Sequence, residues 1–393
     1  MKPLKERLMT PGPTLVPERV LQAISSHPVY HRSAEFKEIF TNTIKLLKKL
    51  FRTDRDTIIL TSSGTGAMEA AVSNLFSPGD SAVIVVGGKF GQRWEELCKT
   101  FGVNPIVIEL EWGKSVNPED IRKKIENNKN VKGILIQICE TSTGAYNDIK
   151  AIGDITSEYN DILLIADGIT AFGVYDIPVD EWNIDVAITG SQKALMTPPG
   201  LAIISMSEKA KTRLSKVEKR SYYFDLEKEI KNQLKGQTAY TPAVNLIIGL
   251  NEALKMIEEE GLKNVAERHE ILAKCARAGI KALELELLPE CPANGVTAVK
   301  LPEHIDGQKF VSWIKNKFGI VIAGGQEHLK GKIFRLSHMG YIDIFDLLTQ
   351  LEAVEFALTR IEMYPAYGKS VKAAMEKYIE LVHHKPITYR KGS

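Results

Sequence analysis

The chain has 393 residues, 44% of them hydrophobic and 25% charged, which suits an ordinary globular protein large enough for two domains. Its 51 Lys and Arg against 49 Asp and Glu leave a formal net charge of +2, with basic residues scattered among acidic ones, as at Arg122, Lys123 and Lys124 beside Glu126. That balance argues against nucleic acid as a partner, which needs a concentrated basic excess.

Four cysteines (Cys98, Cys139, Cys275, Cys291) form no C-x-x-C pair, so neither a disulfide framework nor a metal site is expected. Met1–Thr10 is polar and lacks the apolar core of a secretory signal. No apolar run approaches the ~18 residues of a membrane span. These features predict a reduced, soluble, cytoplasmic protein that does not bind membrane.

From about residue 55 to 205, strand and helix patterns alternate. Strands are expected at Thr57–Thr61, Ser81–Val86, Asn104–Ile108, Gly133–Ile138, Ile162–Ala166, Val186–Thr189 and Ala202–Ser205. They are short and almost wholly apolar, as strands covered on both faces are. Helical stretches such as Gln92–Thr100 and Pro118–Asn127 lie between them. The alternation predicts an α/β fold with a mostly parallel seven-stranded sheet and helices on both sides. Ligands of such sheets bind beyond the carboxyl ends of the strands.

Long helices are expected over Pro242–Glu259 and Leu262–Leu283, interrupted at Gly261. Strands at Val296–Leu301, Ile320–Ile322 and Lys332–Leu336 follow, with helices at Gly307–Lys317, Ile342–Met363 and Val371–His383. This predicts a smaller α+β domain over 259–393 after a large domain over 15–258.

Four segments are candidates for chemistry. Ile188-Thr189-Gly190-Ser191-Gln192-Lys193 places a lysine just after an apolar strand. Such a lysine loses hydration, which lowers its pKa and frees the amine for Schiff-base chemistry. Ile162-Leu163-Leu164-Ile165-Ala166-Asp167 ends a wholly apolar strand on a carboxylate. Read alone, Asp167 suits a turn or helix cap, or the partner of a protonated pyridine nitrogen. Thr61-Ser62-Ser63-Gly64-Thr65-Gly66 leads from a strand into a helix, and suits either a capped turn or a phosphate cradle. It is neither a Walker motif nor G-x-G-x-x-G. Gly87-Gly88-Lys89-Phe90-Gly91-Gln92-Arg93-Trp94 reads as a glycine-bearing loop in which Phe90 offers a flat face to the core or to a ligand.

Together these segments resemble the class V aminotransferases, within the fold-type I group of pyridoxal-phosphate (PLP) enzymes. The likeness is strongest to the alanine–glyoxylate and serine–pyruvate or serine–glyoxylate types. It spans nearly the whole chain. It includes Thr10-Pro11-Gly12-Pro13-Thr14, His31-Arg32-Ser33, Ser63-Gly64-Thr65-Gly66, Phe90-Gly91-Gln92-Arg93-Trp94, Glu140-Thr141-Ser142-Thr143-Gly144, Asp167, Gly190-Ser191-Gln192-Lys193, Tyr240-Thr241-Pro242 and Phe334-Arg335-Leu336-Ser337-His338-Met339-Gly340.

The resemblance implies roles. Lys193 would hold pyridoxal 5'-phosphate as a Schiff base and move the α-proton. Asp167 would pair with the pyridine nitrogen, Phe90 would stack on the ring, and Thr141 would lie near its hydroxyl. Backbone groups of Gly64, Thr65 and Gly66, with the Gln192 side chain, would hold the phosphate. Thr241 would reach the phosphate of a neighbouring subunit in a homodimer. Arg335 would fork onto the substrate carboxylate, with Gly12 beside it and residues 1–14 near the site. The reaction implied is ping-pong transamination between alanine or serine and glyoxylate or pyruvate. Aspartate, phosphoserine and phosphonate donors stay open.

Two features depart from the family pattern. Gly168-Ile169-Thr170 stands where Ala-Val and Ser or Thr are usual, which adds slack after Asp167. Ile138-Cys139 precedes Glu140 where many relatives have a His two residues before the Glu. Cys139 reads as a small buried residue rather than a reactive thiol. A cysteine desulfurase would need a nucleophilic cysteine within 292–393, and there is none. A nicotinamide dehydrogenase would need the glycine fingerprint. A non-catalytic scaffold would have no use for Lys193, Asp167 and Arg335 together.

Overall fold

The computed structural model describes residues 3–362 and 367–382. Seven strands build the central sheet: β1 (Asp56–Thr61), β2 (Ser81–Val86), β3 (Asn104–Glu109), β4 (Val131–Gln137), β5 (Leu163–Asp167), β6 (Val186–Gly190) and β7 (Leu201–Met206). Their order is β1-β7-β6-β5-β4-β2-β3. Only β7 runs against its neighbours, β1 and β6. The other pairs are parallel, so β1 to β6 all end on one edge.

The strands alternate their side chains between two apolar layers. Ile59, Val83, Ile134, Leu164, Ala187 and Ile203 join one core. Ile58, Ile84, Leu135, Ile165, Ile188 and Ile204 join the other. Both faces are therefore dry, which is why these strands read as continuous apolar runs. By the same alternation Asp167 follows Ile165 toward the layer of helices Gly64–Leu75 and Lys89–Thr100, whose Met68 and Trp94 are fully buried there.

A second sheet has the order β8 (Val296–Lys300), β10 (Ile333–Ser337), β9 (Ala323–Gly324), all antiparallel. It packs with helices Leu262–Ala282, Gly307–Phe318 and Ile344–Glu362 around a separate core containing Phe310, Phe334 and Leu347. Gly261, at φ +86°, separates helix Val244–Glu260 from helix Leu262–Ala282. That conformation suits glycine and ends the first helix where the sequence predicts.

The N-terminal segment joins the two halves. Arg7–Leu8 pairs in parallel with Ile320–Val321, and Met9 is buried in the C-terminal core. Five residues on, the Thr14 N–H donates to the Gln192 carbonyl at 3.1 Å and Thr14 Oγ1 donates to the Lys193 carbonyl at 2.7 Å.

Several expected boundaries shift. β5 extends by one residue, so Asp167 belongs to the strand itself. The strand expected at Ile320–Ile322 is Ile320–Val321 and pairs with the N-terminus, and β9 was not anticipated because two residues ending in glycine show no periodicity. The segment read as a loop around Phe90 is the first turn of helix Lys89–Thr100. The expected helix ends Met363 and His383 lie outside the described residues.

Candidate active site

The edge where β1 to β6 end collects the predicted residues. Gly64, Thr65 and Gly66 follow β1, Phe90 follows β2, Thr141 follows β4, Asp167 ends β5, and Gln192 and Lys193 follow β6. Arg335 arrives from β10 of the second sheet, and Gly12 from the N-terminal segment. Gly12 has φ +128°, and a Cβ built on it would lie 2.2 Å from Lys193 Nζ. Only glycine lets this backbone lie against the amine.

Lys193 Nζ donates to the Pro11 carbonyl at 2.6 Å. Burial lowers its pKa to about 8, with the nearby charge of Arg335 acting in the same direction. Asp167 is 5% exposed, and burial pushes its pKa up to about 7 against the pull of the Ile169 N–H, which donates to Oδ1 at 2.9 Å. Neither group is paired with a salt-bridge partner among the described residues. Each therefore sits in a dry site where an added opposite or covalent partner would relieve the cost of its charge.

The start of helix Gly64–Leu75 has no side-chain cap. Its Gly66 N–H donates to the Ser63 carbonyl at 2.9 Å, closing the first turn. Gly66 also allows close packing, since a Cβ there would fall 1.9 Å from Ser62 Oγ. The Gln192 amide oxygen reaches this end of the helix: a Cβ built on Gly190 would lie 3.0 Å from it and 3.6 Å from the Gly64 nitrogen. That oxygen is buried with no hydrogen-bond partner. A flip of the amide turns an N–H donor into the same place. An uncapped helix start beside an unsatisfied amide suits an anion such as a phosphate.

Glu140 is a structural centre the motif reading passed over. Its buried carboxylate accepts from the Phe90 N–H at 3.1 Å and the Gly91 N–H at 3.0 Å, and also from the Ser142 N–H and hydroxyl. It thereby caps helix Lys89–Thr100 from another element and fixes where Phe90 stands. An acid directly after an apolar strand was the available signal, as it was for Asp167.

Arg335 is 7% exposed. Nη1 donates to the Thr141 carbonyl at 2.9 Å and Nε to the Gly324 carbonyl at 3.0 Å. Burial lowers its pKa to about 10, yet it makes no ion pair among the described residues. Thr141 Oγ1 is hydrogen-bonded to Thr170 Oγ1 at 2.8 Å. Lys89 Nζ lies 2.9 Å from Glu327 on the loop after β9, and His328 packs on Trp112 with ring centroids 4.4 Å apart, so that loop is tied to the first sheet.

Thr241 is exposed, two residues before Ala243, whose N–H donates to Thr61 Oγ1 at 3.0 Å at the end of β1. Gly168 does not supply slack: a Cβ there would meet the Phe172 ring at 2.4 Å, and its N–H donates to the Ile188 carbonyl at 2.9 Å. Cys139 is buried, and burial pushes its thiol up to about 12, as an unreactive thiol requires. Among the described residues, no group of three His, Cys, Asp or Glu side chains could hold a metal ion. Among the described residues, no helix is long and apolar enough to cross a membrane.

The lowered pKa predicts the reactivity of Lys193. Arg335, Asp167, Cys139 and Arg93 are the charged or titratable groups that act on it. In cofactor-free protein, reductive labelling of Lys193 by a small aldehyde should reach half its maximal rate near pH 8, because the neutral amine reacts. Peptide mass spectrometry at a series of pH values reads this. A half-maximum at the ordinary lysine value of 10.5 would contradict the desolvated site.

Comparison with known proteins agrees with this geometry. The family described as Aminotransferase class-V matches residues 8–342. A protein named the soluble hydrogenase small subunit of Synechococcus is 40% identical over 361 residues, covering 91% of this chain and 94% of that protein. The serine–glyoxylate aminotransferase of Arabidopsis thaliana is 35% identical over 393 residues, covering 98% and 97%. Among solved structures, the ureidoglycine–glyoxylate aminotransferase of Bacillus subtilis is 33% identical with TM-score 0.89, covering 96% of this chain and 99% of that one. The aspartate aminotransferase of Thermus thermophilus is 33% identical with TM-score 0.85, covering 91% and 100%. With a sheet edge that gathers a desolvated lysine, a buried aspartate and an unpaired arginine, and with a family match over most of its length, the chain belongs to the class V aminotransferases and has their fold-type I architecture.

Proposed function

We propose that this aminotransferase binds pyridoxal 5'-phosphate at Lys193 and moves the amino group of a small L-amino acid, alanine or serine, to glyoxylate or pyruvate. The observation that carries the reading is Arg335, a buried cation solvated by two neutral carbonyls and making no ion pair among the described residues. A substrate carboxylate supplies what it lacks.

The residues present fit the cofactor. The unsatisfied Gln192 amide and the uncapped start of helix Gly64–Leu75 suit its phosphate. Asp167 would hold a protonated ring nitrogen, which would return its raised pKa toward the ordinary carboxylate range. Phe90 and Thr141 would flank the ring. When bound, pyridoxal phosphate supplies a carbonyl that condenses with amines and a ring that takes up the electrons of the broken α-bond.

The protein's own part is placement and proton movement. Lys193, with a pKa of about 8, is in part neutral near pH 7 and can hold or release a proton at the substrate α-carbon. Arg335 would orient that carbon by gripping the carboxylate. The Pro11–Gly12 backbone packs against the lysine and narrows the space for water.

The relatives' names support glyoxylate as acceptor. The hydrogenase name of one relative would call for metal ligands, and the grouping of His, Cys, Asp and Glu side chains among the described residues offers no set for them. The Thermus neighbour favours a second reading, aspartate as donor. Against that reading, Lys89 is already paired with Glu327 and so is not free for a side-chain carboxylate.

The exposed Thr241 supports a homodimer in which each copy completes the other's phosphate site. The four free cysteines support a reducing, cytoplasmic setting. The domain division proposed is 15–258 and 259–393, with residues 1–14 crossing to the site.

A panel of amino donors against glyoxylate, pyruvate and 2-oxoglutarate tests the substrate reading. Alanine or serine with glyoxylate or pyruvate should give the highest kcat/KM. Preference for aspartate with 2-oxoglutarate would overturn it. Arg335→Lys should raise KM for donor and acceptor alike by about tenfold or more, since a lysine cannot fork onto a carboxylate. An unchanged KM would remove Arg335 from the substrate site. For the dimer, diluting the protein below its subunit dissociation constant should release cofactor, and retention by an isolated monomer would contradict a shared site.

A further inference from the structure

Arg93 has no role in the reading so far, yet it touches two parts of the proposed cofactor site. It lies three residues after Phe90 on helix Lys89–Thr100, so the two side chains share a face. The guanidinium carbon is 4.9 Å from the centre of the Phe90 ring. Its Nη1 donates to Thr65 Oγ1 at 3.1 Å, and Thr65 belongs to the first turn of a different helix, Gly64–Leu75.

The bland alternative is a solvated helix arginine paired along its own helix. Glu96, three residues further on, would be the ordinary partner. Arg93 is instead partly buried, and its hydrogen bond goes across to Thr65. It makes no ion pair among the described residues. Its charge is felt by Asp167, where it favours the carboxylate, and by Lys193, where it favours the neutral amine.

A planar guanidinium can stack on an aromatic face while donating in its own plane. An ammonium can make one of these contacts well, not both in fixed register. The two elements Arg93 ties together are the helix starts that carry the ring-stacking and phosphate-holding groups of the proposed site.

We propose that Arg93 is a positioning residue of the cofactor site: by clamping the Phe90 ring and the Thr65 hydroxyl it holds the starts of two helices in register for a phosphorylated aromatic cofactor. This rests on reading the site as one for pyridoxal phosphate. The clamp is complete in the protein alone, so it acts as preorganisation and its loss falls on cofactor binding.

The test titrates cofactor-free protein with pyridoxal phosphate. Absorbance gives the dissociation constant, and circular dichroism in the cofactor band at saturation reports how firmly the ring plane is fixed. Wild type is compared with Arg93→Lys, Thr65→Val and the double variant. Arg93→Lys keeps the charge and loses the two-point geometry, and should weaken binding about tenfold and reduce the dichroism per bound cofactor. Thr65→Val removes only the far end of the clamp. It should weaken binding less, and the two effects should not multiply in the double variant. Arg93→Lys within twofold of wild type, with unchanged dichroism, overturns the proposal. Should Arg93→Lys fail to fold, unchanged affinity and dichroism in Thr65→Val overturn it alone. Wild-type protein that binds no pyridoxal phosphate sinks the reading of the site, whereas tight binding by wild type and variants alike sinks only the clamp.

Discussion

Desolvation of ionisable groups at one sheet edge is the constraint on which the site depends. β5 and β6 are buried along their length; β5 ends on Asp167 and β6 leads through Gly190 to Lys193, groups that water would otherwise stabilise. Lys193 responds by favouring its neutral form and Asp167 by favouring its protonated form. Arg335 stays a cation solvated by carbonyls rather than by a carboxylate. A site built this way holds three groups whose costs would each be relieved by a different part of a bound cofactor and substrate. The same reasoning separates Glu140 from them. It is equally buried, but four hydrogen bonds from Phe90, Gly91 and Ser142 satisfy it within the protein. Its work is to hold the helix that presents Phe90.

Assembly of the site requires both sheets. Arg335 comes from β10, while its Nη1 partner, the Thr141 carbonyl, belongs to the segment after β4. The N-terminal segment is anchored beside Ile320–Val321 and then lies across Lys193. Lys89 to Glu327, and Trp112 to His328, brace the loop after β9 from the other side. These ties explain why residues more than 300 positions apart in sequence can share one small polar space.

Most of the large sheet was legible because two dry faces force apolar runs, as in β2, β5, β6 and β7, whereas β3, at the sheet edge and only partly buried, shows the pattern in Ile106, Val107 and Ile108 alone. Lys193 and Asp167 were legible for the same reason, as charges at the ends of such runs. What local pattern could not show was tertiary in origin. The first turn of helix Lys89–Thr100 looks like a glycine loop because its cap, Glu140, comes from 50 residues away. Gly168 looked like slack because the Phe172 ring that fills its space was invisible. β9 is defined only by its pairing with β10. Arg93 was visible only as a motif letter until Thr65 and Phe90 were seen around it.

The central claim is that Lys193 is the residue that bonds the cofactor. The most direct measurement is to reduce the purified holoprotein with borohydride, digest it, and locate the pyridoxyl group by peptide mass spectrometry. The account predicts a single modified peptide with the added mass on Lys193, and none in Lys193→Ala. A pyridoxyl group on another lysine, or none in protein that retains pyridoxal phosphate, would contradict it.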